Sequence, residues 1–213
     1  MSLNFRRFRP LRWAPLAAAL PLAAVIALPQ AASSSPEVAR FSLFPAAKFI
    51  PCMAAPGQTP TATVSVVKGD PNDSMIVSTS GFKPGVQFDL FTVQRSNQQA
   101  DGAPVPGFPG FGMAWYQSDI DANSSTTLKT ILVDQTFGFD PDVALAPTNT
   151  FHMGFWFNNP ADAAPCGFTG TTPFNGEHNA GPLAFISRPN ADTNLGPLCL
   201  NPDTSSSPAR CNP

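Results

Sequence analysis

Short runs of alternating apolar and polar residues, separated by turn residues, dominate most of this chain. The clearest run is 61–67, in which Ala62, Val64 and Val66 share one face and Thr or Ser occupies most of the other. Because successive side chains of a strand point to opposite faces, this pattern predicts a β-strand with one buried face. The same criterion predicts strands at 75–80, 86–94, 113–118, 126–133, 150–157 and 183–187, and an edge strand at 41–44.

Turn residues connect these runs at intervals of about ten residues. A cluster at 69–73 contains Gly, Asp, Pro and Asn, and Lys83-Pro84-Gly85 has the composition of a tight turn. The segment 119–123 is predicted to be another turn. The run 86–94 is partly apolar on both faces, which is typical of a central strand. We therefore expect an all-β fold, an antiparallel β-sandwich of seven to eight strands.

The first 33 residues have the layout of a secretory signal peptide. Four arginines (6, 7, 9 and 12) precede an apolar run at 14–28, which is short for a membrane span, and small residues follow at 31–35. We expect a signal peptide at 1–33, a β-sandwich at 34–188 and a Pro/Ser-rich tail at 189–213. The protein is then secreted, without membrane attachment after cleavage. An uncleaved N-terminal anchor is the alternative.

Cys52, Cys166, Cys199 and Cys211 all lie beyond the expected signal peptide. In an oxidising compartment an even number of cysteines is typical of disulfide bonds. The favoured pairing joins Cys52 to Cys166 and Cys199 to Cys211, the second pair closing a short loop in the tail. A zinc site is the alternative, but the chain has no C-x-x-C spacing.

Charge argues against two classes of partner. Loss of residues 1–33 leaves eight Lys and Arg against fourteen Asp and Glu, a net charge of −6. Nucleic acids and anionic membranes both require clustered basic residues, which the remaining chain lacks. Only 12% of the residues are charged, so the surface consists largely of neutral polar side chains, as suits an extracellular protein.

The segment Gly81-Phe82-Lys83-Pro84-Gly85-Val86-Gln87-Phe88 resembles the strand–turn–strand unit of secreted bacterial immunoglobulin-like and fibronectin type III-like sandwiches. The resemblance covers about 20 residues and implies an Ig-like architecture. Phe88 occupies the position where a corner tyrosine is expected, and the Cys…Trp…Cys spacing of immunoglobulin domains is missing. The resemblance therefore implies a fold and no catalytic or binding residue.

The densest cluster of functional side chains contains Glu177 and His178, and His152 is the other histidine. Together they are candidates for a metal site or for general-base catalysis, provided that the fold brings them together. The alternative is that each histidine bonds to a backbone carbonyl. Nucleophile motifs such as G-x-S-x-G are absent from the sequence, so the chain has little support as an enzyme, and no cofactor is expected.

Asp119, Asp121 and Asn123 alternate as the first three ligands of a calcium loop do. The Gly expected at loop position 6 and the acidic residue expected at position 12 are missing. The favoured interpretation is a hairpin turn formed by residues that tolerate left-handed conformations.

Phe108 and Phe111 lie in a Pro/Gly-rich loop, where stiff backbone and aromatic rings offer contact area at low entropic cost. They are candidate anchors for a cell-surface polymer or a protein. The alternative is that both rings fold back over the end of the sandwich. Trp115, Tyr116 and Trp156 lie on predicted strands and are expected in the core.

The sequence thus predicts a secreted, non-catalytic β-sandwich protein with an extracellular binding role or a structural role at the cell surface. The alternative is a secreted hydrolase or metal-dependent enzyme that uses Glu177, His178 and His152.

Overall fold

The computed structural model describes residues 38–69, 72–130, 152–172 and 179–212. Helix is confined in these ranges to the 3-10 segments Ala47–Phe49 and Pro160–Cys166 and to α1, Ile50–Met53. Strand is the main element. The strands are β1 (Val38–Pro45), β2 (Thr61–Val67), β3 (Asp73–Ser80), β4 (Gln87–Val93), β5 (Ala114–Asp121), β6 (Ser125–Thr130), β7 (His152–Phe157), β8 (Leu183–Ser187), β9 (Asn201–Asp203) and β10 (Arg210–Asn212).

The first eight strands form one antiparallel sheet in the order β5-β4-β7-β8-β1-β2-β3-β6. This confirms the predicted all-β, antiparallel fold and its number of strands. The strands β2 and β8 begin and end where the alternating pattern placed them. The strands β9 and β10 pair separately, within the predicted tail.

The sheet curls until it is nearly barrel-shaped. The strands β5 and β6 are neighbours in sequence, yet they lie at opposite edges of the sheet. The short connection 122–124 can join them only if the two edges come together. Backbone hydrogen bonds from Thr79 N to Ser124 O (2.9 Å) and from Ala122 N to Val86 O (3.1 Å) fasten this corner.

Two predictions about strands were wrong. The segment 41–44 is part of a central strand, because β1 pairs with β2 on one side and β8 on the other. Residues 119–121 belong to β5, and the turn begins only at Ala122. Pairing of these residues with Gln87–Asp89 of β4 overrides the turn preference of Asp.

Aromatic residues fill the interior of the curled sheet. Phe88 lies 4.6 Å from Phe155, and Phe155 stacks on Phe185 at 4.8 Å, both between ring centroids. On the other half of the sheet, Val64 and Met75 supply the buried face. Full burial of each such side chain contributes about 1.5–3 kcal/mol, so this interior is the main source of stability.

Both predicted disulfides are present. Cys52–Cys166 joins α1 to the 160–166 helix, and Cys199–Cys211 joins the middle of the tail to β10. Leu198 is only 2% exposed and belongs to the core, so the tail is packed as well as cross-linked. The two bonds indicate folding in an oxidising compartment. No helix in the described part of the chain has the length and apolar character that a membrane span requires.

Candidate functional site

The outer face of the sheet, opposite the main core, carries a second apolar cluster on β4 and β7. Phe91 and Val93 of β4 are buried there with Trp156 of β7 and Ile186 of β8. Alternation along β4 places Phe88 and Leu90 inside, and Phe91 and Val93 outside. The observation that this strand is apolar on both faces therefore has a structural cause: each face packs against a different cluster.

Five aromatic rings form a continuous row across this outer face, which we call the aromatic row. Successive ring centroids are separated by 5.6 Å (Tyr116–Phe91), 5.5 Å (Phe91–Trp156), 5.2 Å (Trp156–Phe111) and 4.9 Å (Phe111–Phe108). All four contacts are edge-to-face, an arrangement that aromatic quadrupoles favour. The row joins the two predicted binding residues to the sheet.

The loop that carries Phe108 and Phe111 is held in place by hydrogen bonds at several points. Arg95 N donates to Phe111 O (2.9 Å), and Val105 N donates to Asn97 O (3.0 Å). Gln98 Oε1 accepts a hydrogen bond from Nε of Arg188 (2.8 Å), and the Arg188 guanidinium lies 3.7 Å from the centroid of the Phe44 ring. The loop is therefore an ordered part of the fold that fixes the positions of both rings.

A cavity of about 430 Å³ opens beside Phe108, Phe111 and Trp156. The remaining lining is mostly apolar and consists of Ala46, Phe49, Asn97, Thr172, Pro182 and Leu183. We call this space the aromatic cavity. Its volume lies in the range of small-molecule sites, and its lining is suited to an apolar or aromatic group.

Phe108 and Phe111 are both half-buried. Phe111 packs on Trp156, and Phe108 packs on Phe111. The structure thus lies between the two alternatives, since the rings fold back onto the sheet and also line an open cavity. Their binding role stays a prediction.

Trp156 is 1% exposed, which confirms its predicted burial. The same prediction of burial was wrong for the aromatic residues Trp115 and Tyr116. Trp115 and Tyr116 are 39% and 41% exposed. The reason is their position on β5, which is an edge strand and has no described strand to cover it. Tyr116 extends the aromatic row toward solvent, and its hydroxyl donates to Asp119 Oδ1 (2.8 Å).

His152 is buried, with 5% of its surface exposed. Its Nδ1 lies 3.1 Å from Ser187 Oγ, which also accepts a hydrogen bond from Met153 N (3.0 Å). Burial lowers the pKa of His152 to about 4, and a hydrogen bond with the Ser187 backbone opposes this shift. The imidazole is therefore neutral at neutral pH. Glu177 and His178 lie outside the described residues, so the three-residue site stays a prediction.

The calcium candidates have other partners. Asp121 Oδ1 accepts from Gln87 Nε2 (2.7 Å). Asn123 adopts a left-handed conformation, and its side-chain amide makes two hydrogen bonds with the Phe82 backbone, both 2.9 Å. These contacts are those of a structural corner. Among the described residues, no group of three or more His, Cys, Asp or Glu is placed to hold a metal ion.

Phe91 and Arg95 line or connect the candidate sites in the structure, and neither was identified from the sequence. Phe91 joins Tyr116 to Trp156 in the aromatic row, and the apolar character of both faces of β4 was the signal for it. Arg95 lines a second cavity together with His152. Its signal was weak: a single Arg at the start of a Ser, Asn and Gln segment, with no acidic residue before Asp101.

Comparisons with known proteins give no relative: no family model matches the chain, and neither a curated protein nor a solved structure matches it.

Proposed function

We propose that this is a non-catalytic extracellular binding protein whose aromatic cavity holds an apolar or aromatic group of a cell-surface polymer or protein. The observation that supports it most is the combination of an open, mostly apolar cavity with a loop that is fixed before binding. A loop that is already ordered loses little conformational entropy when a ligand binds, which favours affinity.

The compartment supports the same proposal. Two disulfides are typical of an extracellular or periplasmic protein, and the signal-like segment at 1–33 supports secretion. The short, Ala-rich apolar run of that segment supports a bacterial source as part of the proposal. An immunoglobulin-like or fibronectin type III-like relationship is part of the proposal as well. It is supported by the turn at 81–88, in which Gly81 and Gly85 both have positive φ.

Nile red, an uncharged apolar dye, tests the aromatic cavity directly. We expect saturable fluorescence enhancement with the wild-type protein, and an affinity at least tenfold weaker after Phe108→Ala plus Phe111→Ala. Loss of a well-packed aromatic anchor commonly costs 1–3 kcal/mol or more, about tenfold for each 1.4 kcal/mol. Ile76→Ala is the matched control, because Ile76 is a 40% exposed apolar residue that is not among those lining this cavity.

Attachment to the source organism tests the function. Wild-type protein should sediment with washed cells or with their insoluble polymer and should resist a high-salt wash, because salt does not weaken apolar contacts. The double variant should remain in the supernatant while its circular dichroism spectrum matches the wild type. Wild-type protein that stays in the supernatant, or Nile red binding that is the same in both proteins, would contradict the proposal.

A further inference from the structure

A second cavity, of about 440 Å³, lies beside His152. Its lining includes the polar residues Arg95, Ser96, Gln99 and Asn194 and the apolar residues Val105 and Pro106. None of the described residues that line it is an Asp or a Glu, and Arg95 is the single cation among them. None of the three rings that define the aromatic cavity lines it, so it is a separate site.

The Arg95 guanidinium has an unusual environment. Its Nε and Nη2 are shielded from solvent and have no hydrogen-bond partner among the described residues. These two nitrogens form one edge of the guanidinium, with parallel N–H bonds that match the two oxygens of a carboxylate. Buried donors without partners are destabilising, more so when they are charged. This edge therefore has the geometry to bind an oxyanion, and binding would remove the free-energy cost of two unpaired donors.

His152 adds polar but uncharged character to the cavity. With Nδ1 placed against Ser187 Oγ, its other ring nitrogen, Nε2, is the polar atom left for a ligand. The ring is neutral at neutral pH, so Arg95 alone compensates the charge of an anion. One positive charge balances a carboxylate, whereas a phosphate carries about 1.5–2 negative charges at pH 7.

We propose that this cavity binds a small organic carboxylate, whose two oxygens pair with Nε and Nη2 of Arg95. Val105 and Pro106 contact the apolar part of the ligand. Because both nitrogens are shielded, the guanidinium turns about its side-chain torsions to present them to the cavity. Binding is thus accompanied by a movement of Arg95.

The test titrates the full-length protein with sodium propanoate, against sodium chloride at equal ionic strength, by calorimetry and by thermal unfolding. We expect saturable binding of propanoate, and an affinity at least tenfold weaker in Arg95→Gln, since that variant loses both charge-assisted hydrogen bonds to the carboxylate. Arg210→Gln is the matched control, because Arg210 is exposed and does not line this cavity.

Two further measurements keep the proposal testable if Arg95→Gln fails to fold. In wild-type protein labelled with ¹⁵N-arginine, propanoate should shift the Nε signal of Arg95 while the signal of Arg210 stays in place. Arg95→Lys keeps the charge but lacks the two-pronged edge, so it should bind weakly as well. Equal effects of propanoate and chloride, an unchanged Arg95 signal, or saturable binding of inorganic phosphate in place of propanoate would overturn the proposal.

Discussion

At the scale of single residues, burial of His152 in the sheet makes the stability of the folded protein depend on pH. Its pKa is about 4 in the folded protein, against 6.5 for an unperturbed histidine. Between these values the unfolded chain binds a proton that the folded protein does not, so stability is complete above pH 6.5 and falls as the pH is lowered toward 4. The shift corresponds to about 3 kcal/mol. Urea unfolding at a series of pH values measures this loss.

Other groups titrate over the same range, so the His152 contribution requires a difference measurement. His152→Gln cannot gain a proton, and its stability should therefore depend less on pH between 4 and 6.5 than that of the wild type. The free energies of unfolding of the two proteins should converge on acidification, by about 3 kcal/mol over this range. Parallel curves would show that His152 protonates in the folded state as easily as in the unfolded chain.

The same residue scale shows where prediction from the sequence ends. Burial of Trp156 follows from its strand pattern, but exposure of Trp115 and Tyr116 depends on β5 being an edge strand, which is a property of the assembled sheet. Arg95 is a comparable case. An arginine in a polar loop is ordinarily solvated, and only three-dimensional placement shows that two of its nitrogens have lost water without gaining a described partner.

At the scale of elements, alternation predicted most strands because each has one face in the core. Residues 61–67 match β2, and 183–187 match β8. The failures concern pairing. The partners of β1 are β2, which follows it closely, and β8, more than 130 residues away in the chain, and no local pattern contains that information. For Asp119 and Asp121, pairing with β4 outweighed their individual preference for turns.

The turn between β3 and β4 permits a paired test of two glycines. Gly81 and Gly85 have nearly the same positive φ, +78° and +81°. A Cβ on Gly81 would overlap the Thr59 carbonyl oxygen, whereas a Cβ on Gly85 would have nothing within 4 Å. Gly85→Ala should cost only the left-handed strain, about 1 kcal/mol. Gly81→Ala adds a collision with backbone and should cost about 3 kcal/mol or more.

Chemical denaturation of both alanine variants measures this difference. Because the φ angles match, backbone strain cancels and the remaining difference reports the close approach of the segment at Thr59 to the turn. Equal losses of stability in the two variants would mean that the Thr59 segment moves aside at little cost. That result would contradict a tightly packed corner at this end of the sheet.

At the scale of the whole molecule, two long-range features determine the architecture: closure of the sheet and the disulfides. Closure follows from the short 122–124 connection between strands at opposite edges of the sheet. The sequence predicted a turn there, but it did not predict that this turn closes the sheet. The disulfide pairing was predicted correctly. An oxidising compartment favours disulfides over free thiols, and the two cysteines of the tail are close enough in sequence to close a short loop. The Ig-like relationship, which is a statement about descent, remains a proposal.

The two disulfides should differ in their contribution to stability, because they close loops of very different length. Cys52–Cys166 spans 114 residues and Cys199–Cys211 spans 12. Chain-entropy arguments assign about 5 kcal/mol to a loop of the first length and about 3 kcal/mol to one of the second. Cys52→Ala plus Cys166→Ala should therefore lower the free energy of unfolding by about 2 kcal/mol more than Cys199→Ala plus Cys211→Ala.

Urea denaturation of the two double variants measures this order, and hydrogen exchange locates the loss. Removal of Cys199–Cys211 should raise exchange mainly in β9 and β10, since Leu198 still anchors in the core the part of the tail that precedes β9. Without Cys52–Cys166 the unfolded chain is less constrained over most of its length, so the free energy of global unfolding falls. Exchange should therefore rise throughout the sheet. A larger stability loss from the tail disulfide would show that packing of the tail, rather than loop length, determines how each bond contributes.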